Sequence, residues 1–257
     1  MEYVVICVAA GFTSALTLFS GFGLGTLLMP VFAIFFPVDA AIALTAVVHL
    51  FNNLFKLALL GRYAEKAIAL KFGLPAIFAA MLGAKVLFRL SGLTPLFHYE
   101  WFGRQLEISP LKLVVALLIA GFAVIEFLST FRGMRFQKEY LPLGGILSGF
   151  FGGLSGHQGA LRSAFLIQCG LSKEAFIGTG VVIACMVDVG RMVVYSSRFT
   201  SMITGENTGL LVAAICSACM GAWVANRLIK KITMRFIQGL VAILLFGISV
   251  GLATGVI

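Results

Sequence analysis

The chain has 257 residues, 60% of them hydrophobic and only 11% charged, with a formal net charge of +9. At a mean hydropathy of +1.06 a soluble domain of this size cannot hide its apolar surface, so the composition predicts a polytopic helical membrane protein. The basic excess is read as membrane topology, and nucleic acid is not an expected partner. Ten-residue strands of alternating hydrophobicity are missing, which excludes an outer-membrane barrel.

The first apolar run covers residues 3–19. It has no basic segment before it and no clear small-residue cleavage site, so it reads as a retained helix. Further runs follow at 22–36, 39–60, 67–90 and 111–131, then at 140–154, 157–170, 174–196, 208–227 and 233–256. Ten runs in two sets of five point to a repeat. Sliding the chain by 135 positions places Ser20–Gly21 on Ser155–Gly156, Asp39 on Glu174, Asn53 on Asp188 and Lys56 on Arg191. Gly25 and Gly159 match with a slip of one residue. Weak internal repeats of this kind mark many transporters.

The second run of each set is short. Fifteen residues rise about 22 Å, against about 30 Å of hydrocarbon. Runs one and two of each set therefore predict a broken or re-entrant helical hairpin, bent at SGFG and at SGHQG. Unpaired backbone at that depth is tolerated only where it lines protein or a water cavity.

Loop charge predicts orientation. Arg62, Lys66, Lys71, Arg132, Arg135, Lys138, Lys173, Arg227, Lys230, Lys231 and Arg235 fall on one side, and Lys85, Arg89, Arg104, Lys112 and Arg198 on the other. The richer side is cytoplasmic by the positive-inside rule, which puts both termini outside. Five runs per set is odd, so residues 1–131 and 132–257 are expected to be inverted repeats within one membrane domain. Residues 91–110 form the one long polar-aromatic loop, suited to a membrane interface.

Charge inside the runs is the candidate chemistry, because a charged side chain at the bilayer centre costs about 2.5–3.5 kcal/mol on insertion scales. His49, Asn52, Asn53 and Lys56 share one face of the third run. Asp188 and Arg191 share a face of the matching eighth run, and His157, Gln158 and Arg162 follow the second bend. Three cations stand against one acid, so the expected ligand is an anion held between the repeats. The backbone at Gly21, Gly23, Gly25, Gly156 and Gly159 is expected to approach it, with free N–H groups at the helix starts. Asp188 and His157 are the titratable groups best placed for proton coupling. The same residues have plainer readings: Arg191 and Asp188 as a structural pair, Lys56 snorkelling to the surface, His49 and the asparagines bridging helices.

Cys7, Cys169, Cys185, Cys216 and Cys219 give an odd count with no disulfide framework. No metal or cofactor is expected. No HExxH, GxGD or P-loop pattern occurs, which argues against an intramembrane enzyme and against an ATP-driven pump.

The segments SGFGLGTLLMPVF…VVHLFNNLFKLAL and GGLSGHQGALRSAFLI…FIGTGVVIACMVDVGRMVVY resemble the sulfite exporter TauE/SafE family of anion permeases, over nearly the whole chain. The resemblance implies transport, as export, of sulfite, thiosulfate or organosulfonates across a bacterial inner membrane by a secondary carrier or facilitator. A carboxylate permease, or a cation carrier built on Asp188, is the alternative. The expected partners are the small anion and the bilayer, with a homodimer left open.

Overall fold

The structure is a computed structural model that describes residues 1–20, 24–101, 103–127, 138–198, 205–228 and 234–256. These residues form ten α-helices and one β-hairpin. The helices are α1 (Glu2–Ser20), α2 (Leu24–Ala33), α3 (Val38–Leu60), α4 (Lys66–Ser91) and α5 (Pro110–Phe127). They continue with α6 (Leu141–Ser155), α7 (Gly159–Leu166), α8 (Lys173–Tyr195), α9 (Gly205–Leu228) and α10 (Met234–Ala253). Each falls on one of the ten apolar runs. The protein is all-α and polytopic: α3, α4, α8 and residues 207–227 of α9 are long and apolar enough to cross a membrane. On α4, Leu70, Leu74, Phe78 and Leu82 are exposed at four-residue spacing, a continuous apolar stripe that suits lipid contact.

Local chemistry sets the breaks. Pro37 precedes α3, lacks an N–H to donate and disfavours helix at the residue before it, so α2 and α3 cannot merge. Asp39 then stands in the first turn of α3 and Glu174 in the first turn of α8, each near the positive end of its helix dipole. Ser172 caps α8, its hydroxyl accepting from the Ala175 N–H at 3.2 Å. Gly156 ends α6 in the left-handed region at φ 82°, where a side chain would be strained, and its N–H reaches the Gly152 carbonyl at 3.0 Å. The chain turns through His157 and Gln158 and restarts at Gly159. At ten and eight residues, α2 and α7 are half-helices of about 15 and 12 Å.

In a bilayer, lipid is as apolar as leucine, so helices are held by close packing and hydrogen bonds. The α4–α6 contact shows the first means. Gly145, Gly149 and Gly153 lie against the backbone of Phe72, Ala76 and Ala80, where any Cβ would overlap a carbonyl oxygen. Tyr195 adds the second, donating its hydroxyl to the Gly153 carbonyl at 2.5 Å. The contact of α1 with α9 is built the same way, with Gly221 against the backbone of Gly11 and the Ser217 hydroxyl donating to the Cys7 carbonyl at 2.6 Å.

Helix neighbours come in matched pairs when residues 1–131 are exchanged with 132–257. α4 packs on α6 and α9 on α1; α4 on α8 and α9 on α3; α1 on α2 and α6 on α7. The contacts α3–α8 and α5–α10 map onto themselves.

The 91–110 stretch, expected as a loop, holds an antiparallel hairpin. β1 (Phe97–Trp101) pairs with β2 (Arg104–Ile108) in a register from Phe97↔Ile108 to Trp101↔Arg104. Gly103 has φ 71°, as a two-residue hairpin turn demands. Alternation in FHYEW was too short and too aromatic to stand out beside a membrane-interface reading. The hairpin packs on the end of α10, where the Tyr99 hydroxyl donates to the Thr254 carbonyl.

Candidate functional site

α3 and α8 pack against each other and bring their polar faces together. His49, Asn53 and Lys56 recur along one stripe of α3, and Asp188, Arg191 and Tyr195 along one stripe of α8; all six are buried. The Asp188 carboxylate is fully engaged. Its Oδ2 accepts from His49 Nδ1 at 2.7 Å and from Asn53 Nδ2 at 2.9 Å. Its Oδ1 accepts from Arg191 Nη2 at 2.7 Å and from Gln158 Nε2 at 3.0 Å. Four donors, one of them cationic, offset the cost of burying the charge. Arg191 also donates through Nη1 to the Gly152 carbonyl at 3.2 Å, tying α8 to the last turn of α6.

Gln158 extends this network across the hairpin bend. The Ser148 hydroxyl donates to its backbone carbonyl at 2.8 Å, fixing the segment, and its side-chain oxygen faces Arg162 Nη1 at 3.5 Å. A Cβ on Gly25 would stand 3.1 Å from the Gly156 carbonyl oxygen, so the start of α2 and the end of α6 meet closely.

Beside the network lies a narrow cavity of about 30 Å³, room for roughly one water. His49, Asn53, Lys56, Arg162, Ser163 and Thr17 supply its polar wall, and Leu24, Leu166, Phe176 and Val181 its apolar one. None of its described lining residues is acidic. Lys56 is 5% exposed and Arg162 6%, so neither charge reaches bulk solvent. The snorkelling alternative for Lys56 does not describe this structure. With the Asn52 amide turned so that its nitrogen donates to the Ala218 carbonyl, its oxygen accepts from Lys56 Nζ at 3.0 Å. Asn52 thus holds the ammonium from behind, facing α1 and α9.

The structure therefore sorts the residues singled out in the sequence. His49, Asn53, Gln158, Asp188 and Arg191 form one network. His49, Asn53, Lys56 and Arg162 line the cavity. His157 stands apart: its ring stacks on Phe122 with centroids 5.7 Å apart and planes 3° from parallel, and its Nδ1 lies 2.9 Å from the Ser155 carbonyl. Gly156 is the helix-ending turn, Gly159 opens α7, and Gly21 and Gly23 lie outside the described residues. Thr17 and Ser163 were missed. Thr13, Ser14 and Thr17, hydroxyls at helical spacing in an otherwise apolar run and all buried, were the signal for the first. Among the described residues, no group of three or more metal-ligating side chains comes together.

A helical, multi-pass membrane protein with cationic side chains converging on a cavity that has no acidic side chain among its described lining residues is the class that this geometry defines. The family model of the sulfite exporter TauE/SafE matches residues 3–252, and the chain belongs to that family, a family of membrane transporters. No curated protein matches it.

Proposed function

We propose that the protein is a secondary carrier or facilitator that exports small sulfur-containing anions, such as sulfite, thiosulfate or organosulfonates, across a bacterial inner membrane. The observation that carries this reading is the cavity wall: two buried cations, Lys56 and Arg162, and no described acid. An entering anion would bring negative charge to this wall and receive donors from Asn53 and Ser163. A cation carrier built on Asp188 is less well supported, because both carboxylate oxygens already accept two donors each. Carboxylate anions share the same recognition chemistry and belong in the test panel.

Two observations support inverted repeats that move against each other around this site. The matched helix contacts survive exchange of the halves. Asn53 and Asp188, 135 positions apart and equivalent under the repeat, hydrogen-bond to each other at 2.9 Å, as residues beside a two-fold axis do. The cavity of about 30 Å³ is too small for a sulfonate, so transport requires the half-helices α2 and α7 or the Lys56 side chain to shift.

The deciding experiment is flux of labelled sulfite, thiosulfate, a sulfonate, lactate and chloride into liposomes holding the purified protein. Arg162→Gln and Lys56→Gln each remove one charge-assisted contact, worth about 1.5–3 kcal/mol, and should weaken anion affinity by about ten- to a hundred-fold. Wild-type affinity in both variants would place the pathway elsewhere. Both termini are proposed to be periplasmic; a reporter fused after Ile257 that works only in the cytoplasm would refute that orientation.

A further inference from the structure

The geometry points to His49 as the site that takes up a proton together with the anion, an inference that rests on the anion reading above. Three hydrogen-bonding facts fix the ring. Its Nδ1 lies 2.7 Å from Asp188 Oδ2, and a carboxylate only accepts, so Nδ1 carries hydrogen. Asn53 Nδ2 and Arg191 Nη2 lie 2.9 and 3.4 Å from the same Nδ1, but both are donors and their hydrogens are directed to Asp188. The neutral ring therefore keeps its lone pair on Nε2. With Nδ1 turned to Asp188, Nε2, which has Asn53 Nδ2 at 3.5 Å, is the ring nitrogen left for the cavity that His49 lines.

This is the carboxylate–imidazole arrangement that holds a histidine in one tautomer and stabilises the imidazolium when Nε2 takes a proton. The proton comes from hydronium or the acid form of the buffer, relayed through water; the donor's bond to hydrogen breaks as Nε2–H forms, the conjugate base stays in solution, and no other bond changes. The new Nε2–H then donates to an oxygen of the anion. The charged groups facing His49 give the coupling its direction. Asp188 on α8 favours the imidazolium. Arg191 on α8, 3.4 Å from Nδ1, and Arg162 on α7 and Lys56 on α3, which line the same cavity, are cationic groups that repel a further proton. An anion between Lys56 and Arg162 cancels that opposition, so proton and anion each raise the affinity for the other. Asp188 is a positioning residue in this scheme, since its oxygens are already filled. His157 is not the coupling group, because its ring is stacked on Phe122 away from the cavity.

Thiosulfate and methanesulfonate keep a fixed charge between about pH 5 and about pH 8, where histidine titrates, so they isolate the protein's own proton. Isothermal calorimetry on detergent-purified protein, run in buffers of different ionisation enthalpy, reads protons taken up per anion bound. The wild type should take up close to one proton per anion at the upper end of this range. Its affinity should fall by up to about tenfold per pH unit as pH rises. His49→Gln should flatten that slope. A wild type whose affinity is flat and which takes up no proton overturns the inference and leaves the anion reading standing. So does a folded His49→Gln that keeps the wild-type slope. Failure of the wild type to bind either anion at any pH overturns both.

Discussion

The α4–α6 contact and the α3–α8 contact solve the same problem by opposite means. In the first, Gly145, Gly149 and Gly153 bring their backbone against that of Phe72, Ala76 and Ala80 with no room for a Cβ, and the contact is close. In the second, His49, Asn53, Asp188 and Arg191 fill the space with hydrogen bonds that hold a buried carboxylate. At those three positions the first has no room for a side chain. The second needs each donor in place but leaves a gap beside it, and that gap is the cavity. A close-packed contact thus stands next to one with a gap beside it; under the proposed function the first would be the scaffold and the second the part that rearranges.

The comparison breaks most visibly at Asp188. Asp188→Ala leaves Arg191 buried without its counter-ion and should destabilise the protein by about 3–5 kcal/mol. Thermal unfolding in detergent measures this. Replacing both members, Asp188→Leu with Arg191→Met, should recover part of the loss, because a buried pair is held at little net gain over apolar groups of similar volume. A single variant as stable as the wild type would mean that the network carries no tertiary energy.

The scaffold contact should respond to a smaller change. Gly149→Ala pushes a methyl group into the Ala76 backbone and should cost about 1–3 kcal/mol. Gly121→Ala on α5, where a Cβ meets open space, should change stability by about 1 kcal/mol or less and in the stabilising direction. Equal melting temperatures for the two variants would remove the close-packing account of α4 and α6. Smallest of all is the hairpin: His98 and Glu107 are more than half exposed and 3.6 Å apart, so His98→Ala should shift stability by less than about 1 kcal/mol. A larger loss would give the hairpin a structural part that its contacts do not explain.

The sequence by itself determined the ten helices, because apolar runs, Pro37 and the SGHQG bend leave the backbone in lipid no other way to satisfy its hydrogen bonds. It also determined that His49, Asn53, Lys56, Asp188 and Arg191 matter, since charge in an apolar run is too costly to be idle. Which of them face the cavity was decided by the tertiary structure. Helical spacing places Asn52 and Asn53 only about 100° apart, and the packing of α3 turns Asn53 toward Asp188 on α8 and Asn52 toward Ser14 on α1 and Ala218 on α9. His157 and Gln158 are neighbours in sequence, yet the left-handed turn at Gly156 sends Gln158 to Asp188 and His157 to Phe122. Periodicity fixes a face along one helix. The direction of that face depends on contacts 30 or more residues away in the chain, and no local pattern encodes them.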